Sequence, residues 1–89
     1  MQCYDYSREK GRLFSDEGQR MFLRVRDFVK LALKTGGAVR MNEAMNAAGT
    51  GCSWTMMACV DRLVELGEIV EVTSGLEVAG QYRVFVDAR

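Results

Sequence analysis

The stretch from Ser15 to Gly37, SDEGQRMFLRVRDFVKLALKTGG, constrains this chain more than any other. Met21, Phe22, Val25, Phe28, Val29, Ala32 and Leu33 recur at three- and four-residue steps and fill one broad side of a helical wheel. Arg20, Arg24, Lys30 and Lys34 fall on the opposite side with Asp27. Ser15 suits the N-cap, and Asp16 and Glu17 set carboxylates at the positive end of the helix dipole. Gly36 or Gly37 can take the left-handed conformation that closes a helix. A long helix with a one-sided apolar stripe is stable only when other elements cover that stripe. Leu23 and Leu31 project near the basic side and call for cover from the residues before Ser15 or from a second subunit.

With 89 residues the chain holds one modest core, so everything else must pack on that helix. Residues 1–14 show no period, and Tyr4, Tyr6, Leu13 and Phe14 stand among charges. They read as an N-terminal arm that packs on the domain or a neighbour, with residues 15–89 forming the domain itself.

Beyond the helix the pattern changes. Ala38–Arg40 is long enough only for a brief edge strand. MNEAMNAAG gives about two helical turns, with Asn42 as cap and Gly49 as stop. Ser53 caps a third helix, Trp54–Leu66, which Gly67 ends. Ile69, Val70 and Val72 begin a strand, TSGLEVAG turns, and QYRVFVDA returns. Met56, Cys59, Val60, Leu63 and Leu66 share one arc and can pack on the first helix, while Ala44, Met45 and Ala48 bury the short one. Val70, Val72, Val84 and Val86 are expected to close the core from the hairpin.

The order carried by GGAVRMNEAMNAAGTGCSWTMMACVDRLVELGEIVEV, residues 36–72, resembles that of the winged helix-turn-helix superfamily. The resemblance implies an α+β fold with three helices and a C-terminal β-hairpin wing. It also implies a function, transcriptional regulation by a double-stranded DNA-binding protein, with helix 54–66 in the major groove and the wing on the backbone. Carried onto this chain, the DNA-binding residues are Arg40, Asn42, Ser53, Trp54, Thr55, Ala58, Arg62 and Arg83. Such proteins commonly act as two-fold pairs, so a homodimer is also implied.

The residues of that helix answer only part of this expectation. Its solvent face would be Trp54, Thr55, Ala58, Asp61, Arg62 and Glu65, with one cation and no Lys, Asn or Gln to recognise a base edge. Residues 1–40 carry nine Lys and Arg against five Asp and Glu; residues 41–89 carry three against seven. The basic surface thus precedes the reading helix, whereas phosphate binding needs a basic face at the contact. The alternative is a winged-helix module that binds protein, for which Trp54 would be an anchor.

Other classes find little support. There is no histidine, so the usual general base and the Ser-His and Cys-His pairs are absent. Three cysteines (Cys3, Cys52, Cys59) with no Cys-x-x-Cys make neither a disulfide framework nor a zinc site. No phosphate loop or dinucleotide fingerprint occurs, so the sequence implies no enzyme, cofactor or metal. No apolar run approaches the roughly 20 residues that span a bilayer, and MQCYDYSREK has no hydrophobic signal core, which makes the cytoplasm the expected compartment.

Overall fold

Ser15 opens the principal helix as its side chain allows, accepting the Gly18 amide at 3.0 Å. This helix, α2 (Asp16–Gly36), ends at Gly37, whose φ of 79° is left-handed. The computed structural model describes residues 4–49, 51–72 and 83–88. Met21, Val25 and Val29 of α2 are buried, and Phe22, Phe28, Ala32 and Leu33 pack against the same core. Leu23 and Leu31 remain 44% and 62% exposed, so the described residues before Ser15 do not cover them.

After α2 come β1 (Val39–Arg40), α3 (Met41–Ala47), α4 (Ser53–Glu65), β2 (Ile69–Glu71) and β3 (Val84–Asp87). The strands form an antiparallel sheet in the order β1-β3-β2. Val39 lies opposite Phe85 on one side of β3, and Val70 lies opposite Val86 on the other. The Met41 amide donates to the Arg83 carbonyl at 2.8 Å and fastens the start of α3 to the start of β3. The Arg24 guanidinium donates to the Ala48 carbonyl at 3.3 Å, tying α2 to the far end of α3. Among the described residues no helix is long and apolar enough to cross a membrane.

The fold is α+β, but the expected count of three helices is corrected to four α-helices among the described residues. The extra helix lies in the N-terminal segment, which forms α1 (Tyr6–Glu9) and a 3-10 turn (Lys10–Phe14). Asp5 caps α1 by accepting the Ser7 amide at 3.0 Å. Leu13, at 2% exposure, is a core residue. The 3-10 turn crosses the first turn of α2 so closely that only glycine fits at position 18. A Cβ there would lie 2.1 Å from the Arg12 carbonyl oxygen and 2.8 Å from the Leu13 Cα. Gly18→Ala therefore forces backbone apart and should cost about 1–3 kcal/mol of stability, as overpacking does. Chemical denaturation checks it, and an unchanged midpoint would mean the crossing is looser than described.

Two helix caps differ from expectation. Cys52, not Ser53, is the N-cap of α4, and Ser53 is its first helical residue. Arg40, not Asn42, precedes α3, its amide donating to the Glu43 carboxylate at 2.9 Å. Leu66, expected in the core, is largely exposed at the end of α4.

The sheet corrects the expected register. Ile69 and Phe85 face the core, whereas Val70 and Val72 are exposed and Val84 and Val86 half-buried. Alternation has a period of two, so choosing the valines for the inside shifts every side chain to the wrong face. Phe85, the largest fully buried side chain among the described residues, sets the true parity, and Arg83 follows it inward. The expected turn TSGLEVAG and most of the wing lie outside the described residues.

Candidate nucleic-acid interface

The side chains expected to read DNA can be placed one by one. Arg40 and Asn42 are exposed where β1 meets α3, and Ser53 is exposed at the start of α4. Trp54 is half-buried. Thr55 and Ala58 are buried, Ala58 completely, at 0% exposure. Arg62 and Arg83 are partly covered, and each is held by carboxylates of this chain.

What covers the face of α4 is the N-terminal segment. Both α1 and the 3-10 turn pack on α4. Their polar groups meet the two carboxylates that would repel phosphate. The Tyr4 hydroxyl donates to Asp61 Oδ2, and the Tyr6 hydroxyl donates to Glu65 Oε1 at 2.8 Å. Lys10 Nζ reaches Glu65 Oε2 at 2.8 Å, and Arg62 Nη1 reaches Glu65 Oε1 at 2.6 Å. The Arg62 guanidinium also sits 5.6 Å from the centre of the Phe14 ring, within cation–π range. With Thr55 through Val60 all buried, the helix is covered on every side along its middle turns. Of the face expected to be solvent-exposed, Thr55 and Ala58 are buried, Trp54, Asp61 and Arg62 are half-buried, and Glu65 stays exposed while bonded to the N-terminal segment.

A second set of contacts holds the other side of Asp61. Arg83 Nη2 lies 2.8 Å from Asp61 Oδ1 and 2.9 Å from Glu71 Oε1, while its Nε donates to Glu71 Oε2 at 3.1 Å. The guanidinium rests 5.2 Å from the Phe85 ring centre. Tyr4, Asp61, Arg83 and Glu71 thus link the N-terminal segment, α4, β2 and the approach to β3. The two acidic residues act as acceptors for this packing.

The electrostatics follow from the same contacts. Hydrogen bonds from Lys10, Tyr6 and Arg62 hold the Glu65 carboxyl down at about 2. Burial and then the Glu65 hydrogen bond push the Tyr6 phenol up to about 12. Burial and the Asp61 contact raise Tyr4 as well. Glu65, ordinarily near 4.5, contributes stability that is complete above that value and is lost as pH falls toward about 2. Tyr6 contributes stability that is complete below its ordinary 10.0 and is lost as pH rises toward about 12. The segment should loosen at both extremes. In an alkaline absorbance titration, two of the three tyrosines should ionise well after the ordinary phenol range. Ordinary titration of all three would show the phenols to be free.

Sequence reasoning missed the partners Tyr4, Tyr6, Lys10 and Phe14. One signal was available: TMMACV, residues 55–60, offers no polar stripe wide enough for a solvent face. A helix apolar all round is a buried helix. No protein-family model, curated protein or solved structure matches this chain.

Proposed function

We propose that this chain is a winged-helix-type domain that acts by binding a protein partner, with α4 serving its own core instead of a DNA groove. The order α2, β1, α3, α4, β2, β3 and the strand order β1-β3-β2 support the winged-helix reading. The observation that carries the functional reading is the N-terminal segment seated on α4. Groove reading needs side chains that project freely to base edges. On α4 those positions are buried or paired within the chain: Thr55 and Ala58 lie under cover, and Arg62 and Arg83 neutralise Glu65, Asp61 and Glu71. Moving α4 into a groove would expose Leu13 and take the Tyr4 hydroxyl from Asp61 and Tyr6 and Lys10 from Glu65, beside a phosphate backbone.

A titration of mixed-sequence duplex DNA at low salt, followed by fluorescence anisotropy, tests this. The wild type and Asp61→Asn/Glu65→Gln should both fail to bind. Binding that Arg62→Ala weakens and Asp61→Asn/Glu65→Gln strengthens would overturn the proposal.

One observation favours the second reading, DNA binding. Arg40, Asn42 and Ser53 stay exposed at the start of α3 and of α4, and no ion pair is formed by Arg40 among the described residues. In that reading the N-terminal segment leaves α4 when DNA arrives, so Arg40→Ala would lower both affinity and the salt dependence of binding.

A further inference from the structure

Resting on the protein-binding reading above, we propose that the outer face of α2 is the docking surface and that its partner is an acidic amphipathic helix. Two exposed leucines, Leu23 and Leu31, lie eight positions apart on this face, about 12 Å along the axis at the helical rise. Arg20, Arg24, Lys30 and Lys34 surround them, and Asp27 is the one acid among residues 20–34. Arg20 and Lys34 form no ion pair among the described residues, and Lys30 meets Glu68 only at 3.5 Å with most of its side chain exposed.

The chemistry of the face selects the occupant. Duplex DNA offers phosphates to the cations and nothing to the leucines. A second copy presenting the same face would set four cations against four cations, which like-charge repulsion opposes. A helix with leucines along one side and glutamates beside them satisfies both parts of the surface, as helix-in-groove recognition does.

The face also borders a place for an anchor. Lys30 and Lys34 form part of the wall of a groove of about 530 Å³ between α2, the end of α4 and β2. Val29, Leu33, Leu63, Leu66 and Ile69 supply its apolar lining, and Glu68 and Asp87 line it as well, so the partner offers an apolar side chain to this groove and its glutamates to the cations of α2. One bulky side chain of the partner can enter there, and such filled pockets carry most of the energy of an interface. The described structure leaves Leu66 exposed at this groove, and a seated side chain would cover it.

The test uses the full chain and a synthetic helical peptide of about 20 residues, long enough to span the face at the helical rise. The peptide carries leucines at every third or fourth position and glutamates elsewhere. Its controls are a scrambled sequence of the same composition and a version with lysine in place of glutamate. Binding is followed by NMR chemical shifts at low and high salt. The acidic amphipathic peptide should bind, weaken at high salt, and shift resonances of Leu23, Leu31, Lys34 and Leu66. Leu31→Asp and Lys34→Glu should each weaken it about tenfold or more, the scale of a good interface contact. Both sites are exposed, so the thermal midpoint should move only slightly, by the small cost of a carboxylate at the C-terminal end of α2 in Lys34→Glu, which separates lost binding from lost folding. Three outcomes overturn the inference: no binding by the acidic peptide, equal binding by the scrambled peptide, or shifts confined to another surface. Binding of anionic lipid vesicles or of duplex DNA through these residues, tighter than the peptide, also overturns it. DNA binding through α4 instead contradicts the underlying functional reading, so the two failures are distinguishable.

Discussion

Leu13→Ala should destabilise the whole domain by about 2–5 kcal/mol, the range for truncating a buried leucine. In a simple winged-helix chain with a loose arm, the same change would cost almost nothing. The difference arises because Leu13 is 2% exposed and belongs to the same core as Val25, Val29, Ala58 and Leu63. The 3-10 turn that carries it packs on both α2 and α4. Gly18 lets that turn approach α2 at backbone distance, and Gln19 donates to the Leu13 carbonyl at 2.9 Å. Urea unfolding of wild type and variant gives the comparison, with a single cooperative transition expected in each. A change under about 0.5 kcal/mol, the usual scatter of surface substitutions, would show that the segment lies outside the cooperative unit.

Arg83→Ala should be the second severe change, at roughly 2 kcal/mol, below the about 3–5 kcal/mol for removing one member of a fully buried ion pair because this pair is part-buried. Arg83 and Asp61 side chains are 18% and 13% exposed, so water compensates Asp61 only in part once the guanidinium is gone. The variant also loses the contact over Phe85 and the link to Glu71. Replacing Arg83 by Lys would keep the charge but not the forked geometry that serves two carboxylates at once. Lysine should therefore recover only part of the loss. In Asp61→Asn/Arg83→Ala the cost should be less than the sum of the single changes, because the Asp61 charge is no longer left stranded. Strict additivity would mean that the two side chains act independently.

What the sequence disclosed, and what it hid, divides along physical lines. The limits and faces of α2 were legible because capping, periodicity and glycine stops agreed over a long run. The brief β1 and the stop at Gly67, with φ 78°, were legible for the same reason. The sheet parity was hidden because valines stand at one parity and Phe85 with Arg83 at the other, and both patterns alternate. Burial of the larger ring decided between them, aided by an inward arginine that has carboxylates to meet. The α4 face was hidden because its cover comes from more than fifty positions earlier, as in Tyr4 to Asp61, and no local pattern encodes such pairing. Tyrosines and a lysine among charges read as an arm that packs on the domain or a neighbour, and only the carboxylates that receive them say where.

The acidic residues of α4 gain a different meaning from this arrangement. Read as surface groups, Asp61 and Glu65 argue only against phosphate. Seated beneath the N-terminal segment, they are the acceptors that hold it, and the few basic groups near them are already committed. The cations of α2 and Arg40 lie elsewhere. On the reading proposed above, function therefore lies off the helix that the superfamily resemblance selects.

The most direct test is whether the N-terminal segment stays on α4 in solution when DNA is offered. NMR of the full chain can follow cross-relaxation between the Tyr6 ring and the Glu65 side chain, with and without excess duplex DNA at low salt. The account predicts strong contacts in the free protein, unchanged in intensity and position when DNA is added. Their absence from the free protein, or their loss together with shifts along Ser53–Glu65 on adding DNA, would contradict it.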